Sequence, residues 1–336
     1  MMPNINSCPI SGDKLYPVIS LGKQPIFFGT TNEPQTNDQF NEMDWVSTRN
    51  GIVHLGTRLP LELLYAESHN SGLIGEVWRR HHQEFADFIS KFQPNNICEI
   101  GGGHGILSTI YSKKNQFNIW EIFEPNPSAK TKNNIIVRDE FFSHTTVLNE
   151  KDCFIHSHLF EHLYDHGSIL SSIHSSLLDH GTMIFSLPNI KKMVERDYIN
   201  ALNFEHVTYL PEDLVEHLLI KHGFSVEEKQ YYLDDHSIFY FCKKSSPNPI
   251  LEYDNKNNIE TVRGFYERSL QEIQLINEKI RSERTDSSVY LFGAHIFSQF
   301  YLTNGLDAER IIEILDNDQS KQNGRLYGTN LMVNSP

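Results

Sequence analysis

The sequence contains few cysteines, fewer basic than acidic residues and no long apolar run. Its 336 residues include four cysteines that lie far apart, so we expect no disulfides. The 29 Lys and Arg against 43 Asp and Glu give a formal net charge of -14, which would repel a nucleic acid. No stretch approaches the roughly 20 apolar residues that span a bilayer, and the N-terminus has no basic region followed by an apolar run. We therefore expect a soluble, cytoplasmic protein that binds neither nucleic acid nor membrane.

Alternating apolar patterns predict the fold class. From residue 75 onward, helix-period runs alternate with short strand-like runs such as NICEIG, FNIWEIFE and TMIFSLP. This alternation indicates an α/β domain, a doubly wound, mostly parallel sheet with helices on both faces. We predict three regions: an irregular or small β N-terminal accessory segment over 1–75, this domain over 76–245, and a linker helix with a smaller α/β unit over 246–336.

A glycine-rich turn follows the first of these strand-like runs. The stretch EIGGGHG, from Glu99 to Gly105, holds four of the 19 glycines and leads into a helical run. At the carboxyl edge of a parallel sheet, such a turn lets backbone amides approach a ligand closely. No Gly-Lys-Ser/Thr follows, so the turn is not a P-loop. Glu124 ends the next strand about twenty residues later, where its carboxylate can accept hydrogen bonds from ribose hydroxyls. Two cofactors stay open on this pattern, NAD and S-adenosylmethionine.

Several short motifs follow the turn in a defined order. EPNP, IHSHLFEHLYD and MIFSLPN come first, then NFEHVTYLPEDL, and later YLFGAHIFSQFYL. This order resembles the class I S-adenosylmethionine-dependent methyltransferases, and NFEHVTYLPEDL, YLFGAHIFSQFYL and the earlier SLGKQPIFFG resemble segments of the nucleotide-sugar C-methyltransferases. The resemblance implies a Rossmann-like fold, S-adenosylmethionine as cofactor, and a nucleotide-linked sugar or related surface-polysaccharide precursor as the small-molecule acceptor. The cofactor-binding residues would then be Glu99, Gly101, Gly103, Gly105, Glu124, Pro125 and His158.

Three loop residues and one tyrosine are the candidate catalytic groups. His206 lies in the segment that resembles the family's active site, and an imidazole can remove a proton from an acceptor when a neighbour orients it. Glu205 or Tyr209 could be that neighbour. His162, at the carboxyl edge of the sheet, could contact substrate or donor. For both histidines a packing role is the alternative.

The chain also departs from the family that it resembles. That family binds zinc through two Cys-x-x-Cys pairs, whereas this N-terminal segment keeps only Cys8. We therefore predict no metal, and a role for the segment as a lid or substrate wall. Phe204 replaces the first histidine of the family's His-Glu-His. Three alternatives thus stay open: an O- or N-methyltransferase with another small acceptor, an NAD-dependent nucleotide-sugar oxidoreductase, and a non-catalytic binding subunit.

Overall fold

A small antiparallel sheet forms the N-terminal unit of the protein. The computed structural model describes residues 5–64, 75–143, 146, 151–234, 236–284 and 287–336. The first elements are β1 (Tyr16–Pro25), β2 (Thr30–Thr31), β3 (Phe40–Ser47), β4 (Val53–Leu55) and α1 (Leu61–Leu64). Strands β1, β3 and β4 pair in that order, antiparallel throughout. Of the two forms considered for this segment, small β therefore describes it better than irregular.

A seven-stranded sheet forms the central domain. Its strands are β5 (Asn96–Ile100), β6 (Ile119–Glu124), β7 (Ile135–Asp139), β8 (Lys151–Ser157), β9 (Leu177–Pro188), β10 (Phe224–Tyr232) and β11 (Ser237–Lys244). Its helices are α2 (Glu76–Ser90), α3 (Ile106–Ser112), α4 (His166–Ser176), α5 (Ile190–Glu195) and α6 (Glu212–Lys221). The strand order is β10-β11-β9-β8-β5-β6-β7, and only β11 runs antiparallel to its neighbours. The doubly wound, mostly parallel sheet predicted from the sequence is confirmed.

The chain reverses its direction of travel across the sheet between β5 and β8. From β5 the chain moves outward to β6 and β7, and then returns to β8 on the other side of β5. In doubly wound sheets, ligands bind at such a switch point, beyond the carboxyl ends of the strands. The fold therefore places a binding crevice beside the end of β5.

A long helix connects the central domain to a small C-terminal unit. The elements are α7 (Asn257–Ser282), β12 (Val289–Phe292), α8 (Ile296–Thr303), β13 (Ile311–Leu315), β14 (Arg325–Leu326) and β15 (Val333–Asn334). Strands β12, β13 and β15 form a parallel sheet, so this part is a smaller α/β unit as predicted. Among the described helices, none combines the length and apolar character that a membrane crossing requires.

The N-terminal and C-terminal units share one apolar core with part of the central domain. Trp45 of β3, Phe204 of the central domain, Tyr266 of α7 and Phe300 of α8 belong to the same buried cluster. Because each of these side chains is almost fully buried, the cluster joins the three regions into one packed body.

A buried ion pair also joins the two terminal units. Arg325 of β14 binds Asp38 through two parallel hydrogen bonds of 2.6 Å each, and Gly328 N–H donates to the same carboxylate. The side chains of Asp38 and Arg325 are only 1% and 10% exposed. Next to this pair, β14 forms an antiparallel pair with β2. A buried bidentate pair orients its two side chains relative to each other and also balances their charges.

We expect Asp38→Ala to lower the free energy of unfolding by about 3 kcal/mol, because it leaves the Arg325 charge buried without its partner. Urea denaturation of the full chain measures this loss. Asp87→Ala is the matched control, since it removes a pair with Lys114 whose side chains are 50% and 61% exposed, and such a pair contributes about 0–1 kcal/mol. Equal effects of the two substitutions would contradict the importance of the buried pair.

Candidate functional site

A cavity of about 1120 Å³ lies at the carboxyl edge of the parallel strands. The glycine-rich turn after β5, the end of β6 and the loop after β8 form its floor. Phe28 and Leu61 of the N-terminal unit and His295 and Ile296 of the C-terminal unit also line it. The volume exceeds the usual upper range of about 1,000 Å³ for a small-molecule site, which leaves room for two ligands side by side.

The glycine-rich turn packs directly against two carboxylates. A Cβ at Gly102 would lie 2.4 Å from Glu99 Cδ, and one at Gly103 would lie 3.1 Å from Glu124 Cδ. Only glycine therefore fits at Gly102, which the sequence analysis did not select. Gly101 and Gly103 line the cavity as expected, whereas Gly105 is absent from the described lining and precedes α3 with a φ of 61°.

Glu99 and Glu124 line the cavity next to Pro125. Trp120 donates its indole N–H to Glu99 Oε2 over 2.6 Å. Burial, with a smaller contribution from the charge of Glu124, raises the pKa of Glu99 to about 7, although the hydrogen bond from Trp120 acts in the opposite direction. Burial also raises the pKa of Glu124. The two predicted acidic residues thus lie together beside the turn.

His158 forms part of the wall beyond β8. Its backbone has a φ of 52°, in the left-handed region, so the side chain turns from the strand toward the cavity. The ring lies edge-on to Trp78 with 4.7 Å between centroids, and Nε2 is 3.0 Å from Ser237 Oγ. Burial lowers the pKa of His158 well below its usual value. His156, two residues earlier, instead packs against Phe160 and Phe185 in the core.

His162 and His206 meet in the wall of the cavity. Their rings are 4.9 Å apart, and both line the cavity together with Glu205. Nδ1 of His162 lies 3.2 Å from the Glu205 carbonyl oxygen, and Nδ1 of His206 lies 3.1 Å from the Ala201 carbonyl oxygen. These contacts assign the ring proton to Nδ1 in each histidine. Burial lowers the pKa of His162 to about 4.

A short turn holds Glu205 and His206 in place. Asn203 Oδ1 accepts the backbone N–H groups of Glu205 and His206 at 2.7 and 3.3 Å. Phe204, which lies between Asn203 and Glu205 in sequence, belongs to the shared core and is fully buried. The side chain of Asn203 therefore replaces a backbone partner and presents the two polar residues to the cavity.

Tyr209 does not reach the site that was predicted for it. Its side chain is 2% exposed and belongs to the apolar core rather than to the described lining of the cavity. Its backbone N–H donates to the Val53 carbonyl oxygen of β4, which turns the ring away from His206. Of the two neighbours considered for His206, the structure brings only Glu205 to the cavity.

Glu161 is a lining residue that the sequence analysis missed. It is 1% exposed, it borders the cavity, and burial raises its pKa. In the stretch FEHLYD, Glu161 directly precedes His162. Its position beside a histidine that was already a candidate is the sequence signal that could have identified it. Trp78 and His236 also line the cavity and come from α2 and the β10–β11 turn, which no local motif marked.

The buried Glu99 carboxyl predicts a pH dependence of stability. Because its folded pKa of about 7 exceeds its ordinary value of 4.5, the native state loses stability as pH rises through 7. Replacement by Gln removes this loss, so the stability of Glu99→Gln relative to the unmodified protein should increase by about 3 kcal/mol between pH 4.5 and 8. Urea denaturation across this range measures the difference, with the exposed Glu228→Gln as control. A pH-independent difference would contradict the prediction.

Comparison with known proteins identifies the class of the central domain. Residues 73–229 match the family model of a methyltransferase domain, a stretch that includes the glycine-rich turn and His206. A search of curated proteins finds no match to the chain.

Solved methyltransferase structures resemble the chain over about half of its length. The N-methyltransferase NodS from Bradyrhizobium japonicum WM9, in complex with S-adenosyl-L-homocysteine, is 15% identical over 55% of this chain and 97% of its own, with a TM-score of 0.42. Magnesium protoporphyrin IX methyltransferase from Synechocystis PCC 6803, with the same ligand bound, is 15% identical over 55% and 92%, with a TM-score of 0.40. An S-adenosylmethionine-dependent methyltransferase from Mesorhizobium loti is 12% identical over 45% and 91%, with a TM-score of 0.38.

These values are too low to carry an argument about the acceptor. The family match, together with the doubly wound sheet and the glycine-rich turn, decides between the two cofactors that the glycine pattern left open. Residues 73–229 form a methyltransferase domain of class I, Rossmann-like fold, and the enzyme uses S-adenosylmethionine.

Proposed function

We propose that the protein transfers the methyl group of S-adenosylmethionine to a nucleotide-linked sugar or a related surface-polysaccharide precursor. One observation carries the proposal: a single cavity joins the glycine-rich turn and Glu124 to the pair of His162 and His206. Donor and acceptor can therefore lie in line across it. The acceptor class comes from the sequence resemblance to the nucleotide-sugar C-methyltransferases.

The donor would lie over the glycine-rich turn. Backbone atoms of Gly101 and Gly103 would contact the adenosine and methionine parts, and Glu124 would accept hydrogen bonds from the ribose hydroxyls. Glu99 and Glu124 would also face the positive charges of the donor. Pro125 and His158 would complete the walls, while Gly105 would shape the turn without touching the ligand.

His206 would remove the proton of the acceptor. In the transfer, the bond from sulfur to the methyl carbon breaks as the acceptor atom binds that carbon, and the acceptor proton goes to His206 Nε2. The Ala201 carbonyl oxygen accepts from Nδ1–H over 3.1 Å, which leaves the lone pair on Nε2. Glu205 would assist by orienting His162 through its carbonyl oxygen. The protein's main contribution is then alignment and deprotonation.

The charge of the cavity favours a second candidate acceptor. Its described lining includes five acidic residues and no Lys or Arg. A diphosphate inside it would meet no cationic side chain among these residues, so a nucleotide-linked sugar would have to keep its phosphates at the mouth. Methyl transfer to oxygen or nitrogen of a phosphate-free small molecule is therefore the second candidate. A panel of nucleotide sugars, free sugars and amines, assayed by mass spectrometry, separates the two.

We expect Gly102→Ala to abolish detectable binding of S-adenosylhomocysteine, because its Cβ would displace the Glu99 carboxylate. Calorimetry measures the affinity. Gly264→Ala in α7 is the matched control, since its Cβ would meet only the flexible end of Arg268 at 3.1 Å. Binding by the Gly102 variant at the unmodified affinity would contradict the proposed donor position.

We expect His206→Asn to lower turnover by about 10²–10⁴-fold and to leave the affinity for S-adenosylhomocysteine nearly unchanged. The base acts only on the acceptor, and the donor is held at the other end of the cavity. His222→Asn is the control because His222 lies outside the described lining. If the His206 variant turns over at the unmodified rate, His206 is a packing residue. If no acceptor in the panel is methylated by the unmodified protein, the non-catalytic alternative gains support.

A keto-sugar acceptor deuterated at its α-carbon loses one deuterium when the methyl group is transferred to that carbon, whereas an acceptor methylated at oxygen or nitrogen keeps it. Mass spectrometry of the methylated product therefore distinguishes transfer to carbon from transfer to oxygen or nitrogen. The burial of Phe204, which stands where the resembled family has a histidine, makes this measurement decisive for the reaction type.

A further inference from the structure

Three potential metal ligands converge at the acceptor end of the cavity. Glu161, His162 and His206 each place one candidate ligand atom within 4.8 Å of the other two. Glu161 and His162 belong to a short 3₁₀ helix (Phe160–His162), and His206 follows the turn at Asn203. All three residues line the cavity, so a ligand could reach them from solvent.

All three side chains offer lone pairs at this place, and neither histidine directs its N–H at the Glu161 carboxylate. His162 and His206 each direct Nδ1–H at a backbone carbonyl oxygen, and this fixes the tautomer in which Nε2 carries the lone pair. Metal-binding histidines in proteins are held by the same kind of contact. The arrangement therefore prepares both rings for a positive partner.

Glu161 supplies an independent observation. Its side chain is 1% exposed, and within the described structure neither carboxylate oxygen has a hydrogen bond of normal geometry. His158 Nδ1 lies 3.1 Å from Oε1. A buried carboxylate without hydrogen-bond donors is unfavourable unless a cation compensates it. Glu161 thus points to a positive ligand at this place.

We propose that Glu161, His162 and His206 bind a divalent transition-metal cation. Two imidazoles and one carboxylate are a common ligand set for such ions, and the cavity leaves the remaining coordination positions accessible. The expectation from the sequence was that no metal binds, because the N-terminal segment keeps only Cys8 of the zinc ligands of the family that the chain resembles. The third ligand here comes from a segment more than 40 residues away.

A second group of three histidines makes a weaker candidate and a useful control. His81, His158 and His236 also lie within ligand distance of one another. Each is already tied to a serine hydroxyl, His81 to Ser186 at 2.8 Å and the other two to Ser237 at 3.0 and 2.7 Å. No carboxylate belongs to this group, so it contains no buried negative charge that a cation would balance.

Cation binding would compete with the chemistry proposed for His206. The lone pair on its Nε2 can take either a proton or a cation, so the cation-bound enzyme would lose the base. This consequence rests on the proposed function, whereas the binding site itself does not.

Titration of the chelator-treated full chain with Co²⁺ tests the site, with visible absorption and calorimetry as readouts. We expect one Co²⁺ per chain, and binding weakened by more than about tenfold in both Glu161→Gln and His206→Asn. His236→Asn should bind as the unmodified protein does. Circular dichroism and S-adenosylhomocysteine binding show that each variant is folded. The site is overturned if the unmodified protein binds no Co²⁺, or if only His236→Asn loses binding.

Turnover with and without bound Co²⁺ tests the competition. Slower turnover in the loaded enzyme supports it. Faster turnover would overturn the competition, and with it the role of His206 as base, while the binding titration still decides whether the site exists. Failure of methyl transfer in every acceptor assay would count against the proposed function alone.

Discussion

Parallel pairing of β5 with β6 and β8 is the constraint on which the site depends. In this register Glu99 lies beside Ile122 and Ile155, so the three strands end at one edge of the sheet. This edge brings the glycine-rich turn next to Glu124 and the loop after β8, and Gly101 N–H donates to the Phe123 carbonyl oxygen over 2.9 Å. The close approach of Gly102 to Glu99 follows from the same geometry, because the turn must cross the end of its own strand.

The proposed acceptor end depends on a different feature, the apolar core that the terminal units share with the central domain. Backbone hydrogen bonds join β4 to the segment after His206, with Leu55 N–H donating to the Val207 carbonyl oxygen. The N-terminal unit thereby supports the segment that carries the candidate base. Phe28 and His295 reach the cavity from opposite ends of the chain, and the pair of Asp38 and Arg325 holds these ends together. The accessory units are therefore part of the site.

Local pattern was enough to predict the parallel sheet and the position of Glu124 beside the glycine-rich turn, because strand periodicity and the glycine-rich turn are both local features. It missed β7, an edge strand whose residues are half-buried or exposed and give no apolar run. It placed Tyr209 beside His206, whereas pairing with β4 turns that ring into the core. Glu161 was missed for a related reason, since its burial depends on long-range packing. The roles proposed for His206 and Glu205 remain predictions.

Charge gives the cavity a consistent chemical character. Five carboxyl groups and no Lys or Arg appear in its described lining, while the chain as a whole carries a net charge of -14. Such a cavity attracts a cationic donor, and burial that raises the pKa of Glu99 to about 7 lets this site gain negative charge as pH rises. The same excess of acidic side chains disfavours a phosphate group deep inside the cavity. At the proposed acceptor end, Glu161 and two imidazoles lie together where the described lining has no Lys or Arg. A positive species there, either the proton in transfer or the bound cation proposed above, would compensate this group of electron-pair donors.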